Sequence, residues 1–116
     1  MSVTRLQTRP ASVCPIANAA RQLGDRWTLV LLRDLAEGPL RFSELQGAAD
    51  GISPRTLADR LREMEAQNLV HRESFREIPP RVVYSLTSKG QAAIPVIEAL
   101  RTFGETWLTA AEKECC

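Results

Sequence analysis

Long apolar runs are missing from this sequence: no stretch of about 18 apolar residues could span a bilayer. The segment holding Arg5, Arg9 and Pro10 lacks the apolar core of a secretory signal. A cytoplasmic location without membrane contact is expected. Cysteine is scarce and unpatterned. Cys14, Cys115 and Cys116 form an odd count without zinc-ligand spacing, which supports neither a disulfide framework nor a metal knuckle. No metal and no cofactor are expected. Histidine occurs once, at His71, so a nucleophile at Cys14 would have no evident base and no group to orient one. Enzymatic chemistry is not expected. One-sided charge is lacking too, with a net charge of +1, so the whole-chain average carries no signature of nucleic acid. Internal repeats and low-complexity tracts are also absent.

What is present suits one ordinary domain. With 116 residues, 44% of them hydrophobic and 25% charged, the chain can bury about two-thirds of its unfolded surface in a single core. Charge is unevenly placed: Arg5, Arg9, Arg21, Arg26 and Arg33 face Asp25 up to residue 33, whereas acids prevail after Ala92. The two ends are expected to face different surroundings. Residues 1–13 are polar and aperiodic and read as a flexible arm. Residues 14–112 read as the folded domain and 113–116 as a tail.

Periodicity then supplies the elements. Ile16, Ala20 and Leu23 recur at helical spacing until Gly24, and Asp25 caps a second helix that is apolar almost all round. Leu40 to Phe42 read as a short strand, and Ser43 with Gln46 has capping-box spacing for a short third helix. In "GISPRTLADRLREME", Ser53 caps a fourth helix and Pro54 occupies its first turn, where no hydrogen bond is lost. Leu57, Leu61 and Met64 form its apolar stripe. Past Asn68 the period changes to two, giving two strands joined across Pro79 and Pro80. Ser88 with Gln91 is expected to cap a long closing helix carrying Ile94, Ile97, Leu100, Trp107 and Leu108. Pro95 inside it implies a kink or a late start.

Three helices, a fourth with an arginine-bearing outer face, a hairpin and a closing helix form the plan of a winged helix-turn-helix, mainly α with a small β-hairpin. Such a unit sets the N-terminal half of its second helix into the major groove of double-stranded DNA. Arg55 is the first choice for a base contact because its planar fork matches the two acceptors of guanine. Ser53 and Thr56 can bond a base or a phosphate, beside the unpaired amides of the helix N-terminus. Asp59 can accept from cytosine, orient a neighbouring arginine or repel wrong sequences. Arg60 and Arg62 suit the phosphate backbone. In the hairpin, Arg72, Arg76 and Arg81, with Pro80 at the tip, are placed to follow the neighbouring minor groove or its phosphates. Residues 53–81 hold six arginines against five acids. One copy should therefore hold DNA weakly, and a winged-helix protein-interaction module without specific DNA binding is the competing reading.

The series "CPIANAARQLGDRWTLVLLRDLAEGPLRFSEL", "GISPRTLADRLREMEAQNLVHRESFREIPPRVVYSLTSKG" and "PVIEALRTFGETW" resembles the HxlR-type winged helix-turn-helix transcriptional regulators, relatives of the MarR group. The likeness covers roughly residues 14 to 107. It implies a homodimer on pseudo-palindromic operators, more often repressor than activator. The first and last helices would pair through Ile16, Ala20, Ile97, Leu100, Trp107 and Leu108. It also implies an oxidant or electrophile effector, since several members sense these through a cysteine matching Cys14; a small aromatic effector between the pairing helices and the reading head is a separate expectation, with Trp27, Phe42 and Tyr84 equally well explained as core. A helix start at Pro15 would favour a thiolate there. Members with a disulfide switch carry a second cysteine elsewhere, and the loop near Ala48 and Ala49 has none.

Overall fold

The computed structural model describes residues 13–108. The elements among them are α1 (Pro15–Leu23), α2 (Arg26–Leu35), β1 (Leu40–Arg41), α3 (Phe42–Ala48), α4 (Pro54–Ala66), β2 (Val70–Phe75), β3 (Arg81–Leu86), α5 (Ser88–Ala92) and α6 (Ile94–Trp107). The expected arm, save Val13, and the expected tail with Cys115 and Cys116 lie outside the described residues.

Local chemistry sets the boundaries. Asp25 Oδ2 accepts from the Thr28 N–H at 3.0 Å and so starts α2. Ser53 Oγ accepts from the Thr56 N–H at 3.1 Å, with Pro54 in the first turn of α4. Helix α4 closes in a Schellman turn. Asn68 takes the left-handed conformation at φ 62°, its N–H donates to Glu65 O, and the Leu69 N–H reaches back to Met64 O at 2.8 Å. Gly51, at φ 88°, makes the bend between α3 and α4, a backbone geometry that side chains resist.

The core forms around α2, which packs against both α4 and α6. Leu31, Leu32 and Leu35 of α2 meet Leu45 of α3, Leu57, Leu61 and Met64 of α4, and Leu69 and Val70 at the start of the hairpin. Burial of this leucine cluster stabilises the fold by roughly 1.5 to 3 kcal/mol per side chain. It also fixes which face of α4 looks outward. Trp27, Leu29 and Val30 only partly join the core, so α2 is less enclosed than its composition implies.

Strands β2 and β3 pair antiparallel from Val70↔Leu86 to Phe75↔Arg81, and the Ile78–Pro79 peptide at the tip is cis. The hairpin is not alone: β1 pairs with β3 through Leu40↔Tyr84 and Arg41↔Val83, giving a three-stranded sheet in the order β1-β3-β2.

Three boundaries depart from expectation. Helix α3 begins at Phe42, because Glu44 Oε1 accepts from the Arg41 N–H at 2.8 Å; neither Ser43 nor Gln46 provides the cap. Thr87, not Ser88, caps α5, its Oγ1 accepting from the Gly90 N–H at 3.0 Å. The closing helix is two helices that meet at Ala93, with Pro95 in the first turn of α6, where its missing N–H costs nothing. Pro95 thus marks a late start rather than a kink.

Candidate nucleic-acid interface

Helix α4 divides cleanly. Leu57, Leu61 and Met64 are buried, while Ser53, Pro54, Arg55, Asp59 and Arg62 are exposed. Arg55 makes no hydrogen bond or ion pair among the described residues, so its fork is unspent. Ser53 Oγ donates to Thr56 Oγ1 at 3.0 Å, which leaves the Thr56 hydroxyl proton directed elsewhere, available to an outside acceptor. The first turn of α4 therefore presents a guanidinium, a hydroxyl donor and the Arg55 N–H together, the Thr56 and Leu57 amides being bonded to Ser53.

The other polar residues of α4 are engaged within the chain. Arg62 Nη1 donates to Asp59 Oδ1 at 2.9 Å, so of the three roles open to Asp59 the fold itself fills one, orienting an arginine. Arg60 is half-buried and turns back toward the α2 cap, with Nη1 3.8 Å from Asp25 Oδ2.

In the hairpin, Arg72 stands opposite Tyr84 and shares a shallow recess with Phe42, Ala58, Arg62 and Glu65. Arg62 and Arg72, distant in sequence, thus border one surface. Arg76 and Pro80 are exposed near the tip. Arg81 is tied down. Its Nε and Nη2 donate to the Glu77 carboxylate at 2.8 to 3.2 Å, and its guanidinium lies 4.0 Å from the centre of the Phe75 ring. The hydrogen bond with Glu77 raises the Arg81 proton affinity, and the same bond, with Arg81 and Arg41 charge, lowers that of Glu77. Arg41, exposed at the start of α3, is a cation that the sequence reading passed over; only the pairing of β1 with β3 brings it toward Glu77.

Away from α4, Cys14 is the N-cap of α1, and its Sγ accepts from the Ala17 N–H at 3.4 Å. Ile16 (80% exposed), Leu100, Phe103, Trp107 (71%) and Leu108 are apolar side chains open to solvent, and Ala20 is exposed beside Ile16 on α1. Val96, Leu100, Phe103 and Trp107 follow one face of α6 at spacings of four, three and four. Val96 and Phe103 were not singled out from sequence, although that spacing announces them. Ile97, expected among the pairing residues, lies about a quarter turn around α6 from that face and is 7% exposed, spent within the chain's own core.

A cleft of about 440 Å³ lies between the end of α2 and α6, bordered by Arg33, Asp34, Leu40, Glu98 and Arg101. The Asp34 side chain is 8% exposed, with Oδ1 bonded to Arg33 and Oδ2 without a hydrogen-bond partner among the described residues. Burial pushes its carboxyl above the ordinary value despite the Arg33 hydrogen bond and charge. The described residues contain no cluster of metal-ligating side chains, and none of their helices is long and apolar enough to cross a membrane.

A short helix, a tight turn, a second helix with an outward polar face and a following hairpin define a winged helix-turn-helix protein. The chain belongs to the HxlR-like helix-turn-helix family, whose model matches residues 22–112. An HTH-type transcriptional regulator of Synechocystis, sll1512, is 39% identical over 103 residues, covering 89% of this chain and 76% of that protein. A crystal structure described as a MarR-family transcriptional regulator from Enterococcus faecalis V583 is 44% identical, with a TM-score of 0.73 over 87% of this chain and 91% of that one. The redox regulator HypR in its oxidised form is 34% identical, with a TM-score of 0.76 over 80% and 96% of the two chains. These relatives are transcriptional regulators, not enzymes.

Proposed function

We propose that the protein is a repressor that binds pseudo-palindromic operator DNA as a homodimer and is released by oxidants or electrophiles acting at Cys14. The exposed, unpaired Arg55 in the first turn of α4 carries this reading, because the fold makes no other use of that guanidinium. Arg55 takes a guanine edge, Thr56 and Ser53 with the Arg55 N–H take a phosphate or base, and the Asp59–Arg62 pair limits which bases fit. Arg60, turned toward Asp25, contributes charge rather than contact. Arg72 and Arg76 hold the backbone beside the adjacent minor groove, with Arg81 and Pro80 shaping the wing.

Two copies are needed because Arg60, Arg62 and Arg81 are offset by acids, so one head has little net attraction for phosphate. The apolar stripe on α6 and Ile16 on α1 supply a face for the second copy, giving reading helices about one DNA turn apart. At Cys14, added oxygen or an alkyl group on Sγ breaks the Ala17 contact that caps α1, the helix carrying Ile16. Likeness to HypR supports the redox part. A small-molecule effector suits the Asp34 cleft, where a donor meets Oδ2.

Selection of bound duplexes from a random pool, with reduced protein and with protein treated with hydrogen peroxide, which puts oxygen on a thiolate, tests this reading. Enrichment of an inverted repeat by the reduced protein, lost on treatment and retained by Cys14→Ser, is expected. Binding no stronger than to random duplex at low salt would favour the protein-interaction module. Repression itself is read from a reporter placed behind the selected sequence.

A further inference from the structure

The tip of the hairpin carries a side chain that the fold does not use. Ile78 is 102% exposed, the highest value among the large apolar residues described, and it leads into Pro79 and Pro80, both exposed. Arg81, which opens the β3 arm below this tip, is already satisfied, since it is held by the Glu77 carboxylate and covers Phe75. At the turn itself, Ile78, Pro79 and Pro80 thus present an aliphatic point. The two proline rings fix their own φ angles, so holding Ile78 forward loses little chain freedom on binding.

The flanks identify the occupant. Arg72 and Arg76, both on the β2 arm, are exposed and have no ion-pair partner among the described residues, and Arg81 opens the β3 arm opposite Phe75, so cations stand on both arms behind the apolar point. An apolar tip between cations is complementary to a DNA minor groove, where phosphates line the rims and apolar side chains can part neighbouring base pairs.

We propose that Ile78 is an apolar wedge that enters the minor groove beside the α4 site and partly unstacks one base step, kinking the duplex. The inference rests on the DNA-binding reading above. Because pyrimidine–purine steps open with least effort, Ile78 is then a specificity determinant at a step whose base edges the protein never touches.

The test uses the full chain and the duplex that the unaltered protein recovers from a random pool. Affinity is read by fluorescence anisotropy, and bending by gel mobility of circularly permuted fragments. Ile78→Ala is expected to lose most of a bend of tens of degrees and about tenfold in affinity, with its salt dependence unchanged. Ile78→Arg should regain affinity through phosphate without regaining the bend. Circular dichroism should be the same for all three proteins, since the fold does not use Ile78. Equal bend and affinity for Ile78→Ala and the unaltered protein, or a straight duplex with the unaltered protein, overturns the wedge while leaving DNA binding intact. Loss of self-association by Ile78→Ala in sedimentation also overturns it, placing Ile78 in a protein contact. Failure of the unaltered protein to select any duplex is a different result, and removes the DNA-binding reading itself.

Discussion

Asp59 and Arg62 face one another across a turn of α4, 2.9 Å apart, on the side of the helix that the core leaves free. An exposed pair of this kind adds well under about 1 kcal/mol to stability, so its main consequence lies in what it does to the surface charge. Asp59→Ala releases Arg62 and removes a negative charge from the same face. Binding to cognate and scrambled duplexes should tighten together, discrimination between them should shrink, and the slope of log K against log salt should steepen by about one phosphate. Anisotropy titrations over a salt series measure all three.

Arg55→Ala should act in the opposite way. Loss of a bidentate contact to guanine removes about 1 to 3 kcal/mol of discrimination at one base pair while leaving affinity for random DNA nearly unchanged. Equal losses on cognate and scrambled DNA would show that Arg55 binds phosphate only.

Glu77 restrains Arg81 at the wing. Glu77→Gln should free that guanidinium for the backbone, raising affinity for every duplex and steepening the salt dependence, without altering the preferred sequence. Arg81→Ala, by contrast, should weaken binding less than removal of an unpaired arginine such as Arg76.

Stability should report the cap and the core separately. Ser53→Ala loses the bond to the Thr56 N–H and should cost about 1 kcal/mol in urea unfolding. Leu61→Ala opens a void in the centre of the core and should cost about 2 to 5 kcal/mol.

The two shifted carboxyl groups predict pH dependences of opposite sign. Folding raises the Asp34 value, so the folded chain binds that proton more tightly. Its contribution is therefore most favourable below the ordinary 3.8 and declines as pH rises through the folded value. Asp34→Asn should remove this decline, seen in urea midpoints across acid and neutral pH. Glu77 is lowered, so its contribution is present above 4.5 and is lost as pH falls through the folded value. Being exposed, it should matter little.

Self-association can be tested at the apolar stripe. Trp107→Lys combined with Phe103→Lys should shift the sedimenting species toward one chain and weaken binding to an inverted repeat far more than to a half-site. The described fold should survive, because both side chains are exposed.

Much of this molecule could be read from residue order. Ser53 with Pro54, the leucine stripe behind them and the change of period at Asn68 are local signals, and α4 and the hairpin lie where these place them. Choices between neighbouring candidates were less legible. Ser43 and Gln46 have capping spacing, yet Glu44 reaches the Arg41 amide because the pairing of β1 with β3 sets where the strand stops. Thr87 and Ser88 are adjacent hydroxyls, and tertiary contact selects Thr87, whose Oγ1 also donates to Asn68 O. Ion pairing was legible only where partners are one helical turn apart. Arg62 with Asp59 follows from spacing, whereas Arg60 with Asp25 and the buried Asp34 depend on how helices meet. Ile97 shows the same limit: periodicity places it on α6 but cannot say which side of that helix meets α2.

The junction at the end of α4 has a mechanical consequence. Lys89 Nζ donates to Gln67 O at 2.7 Å, Thr87 bonds Asn68 O, and Gly90 lies so close to Leu69 O that any side chain there would collide with it. The last turn of α4 and the start of α5 are thereby clamped into one rigid elbow leading to α6. In a paired molecule that elbow sets the distance between the two heads. Gly90→Ala should force that junction apart, lowering the urea midpoint and, in a paired molecule, changing the spacer length that the pair tolerates.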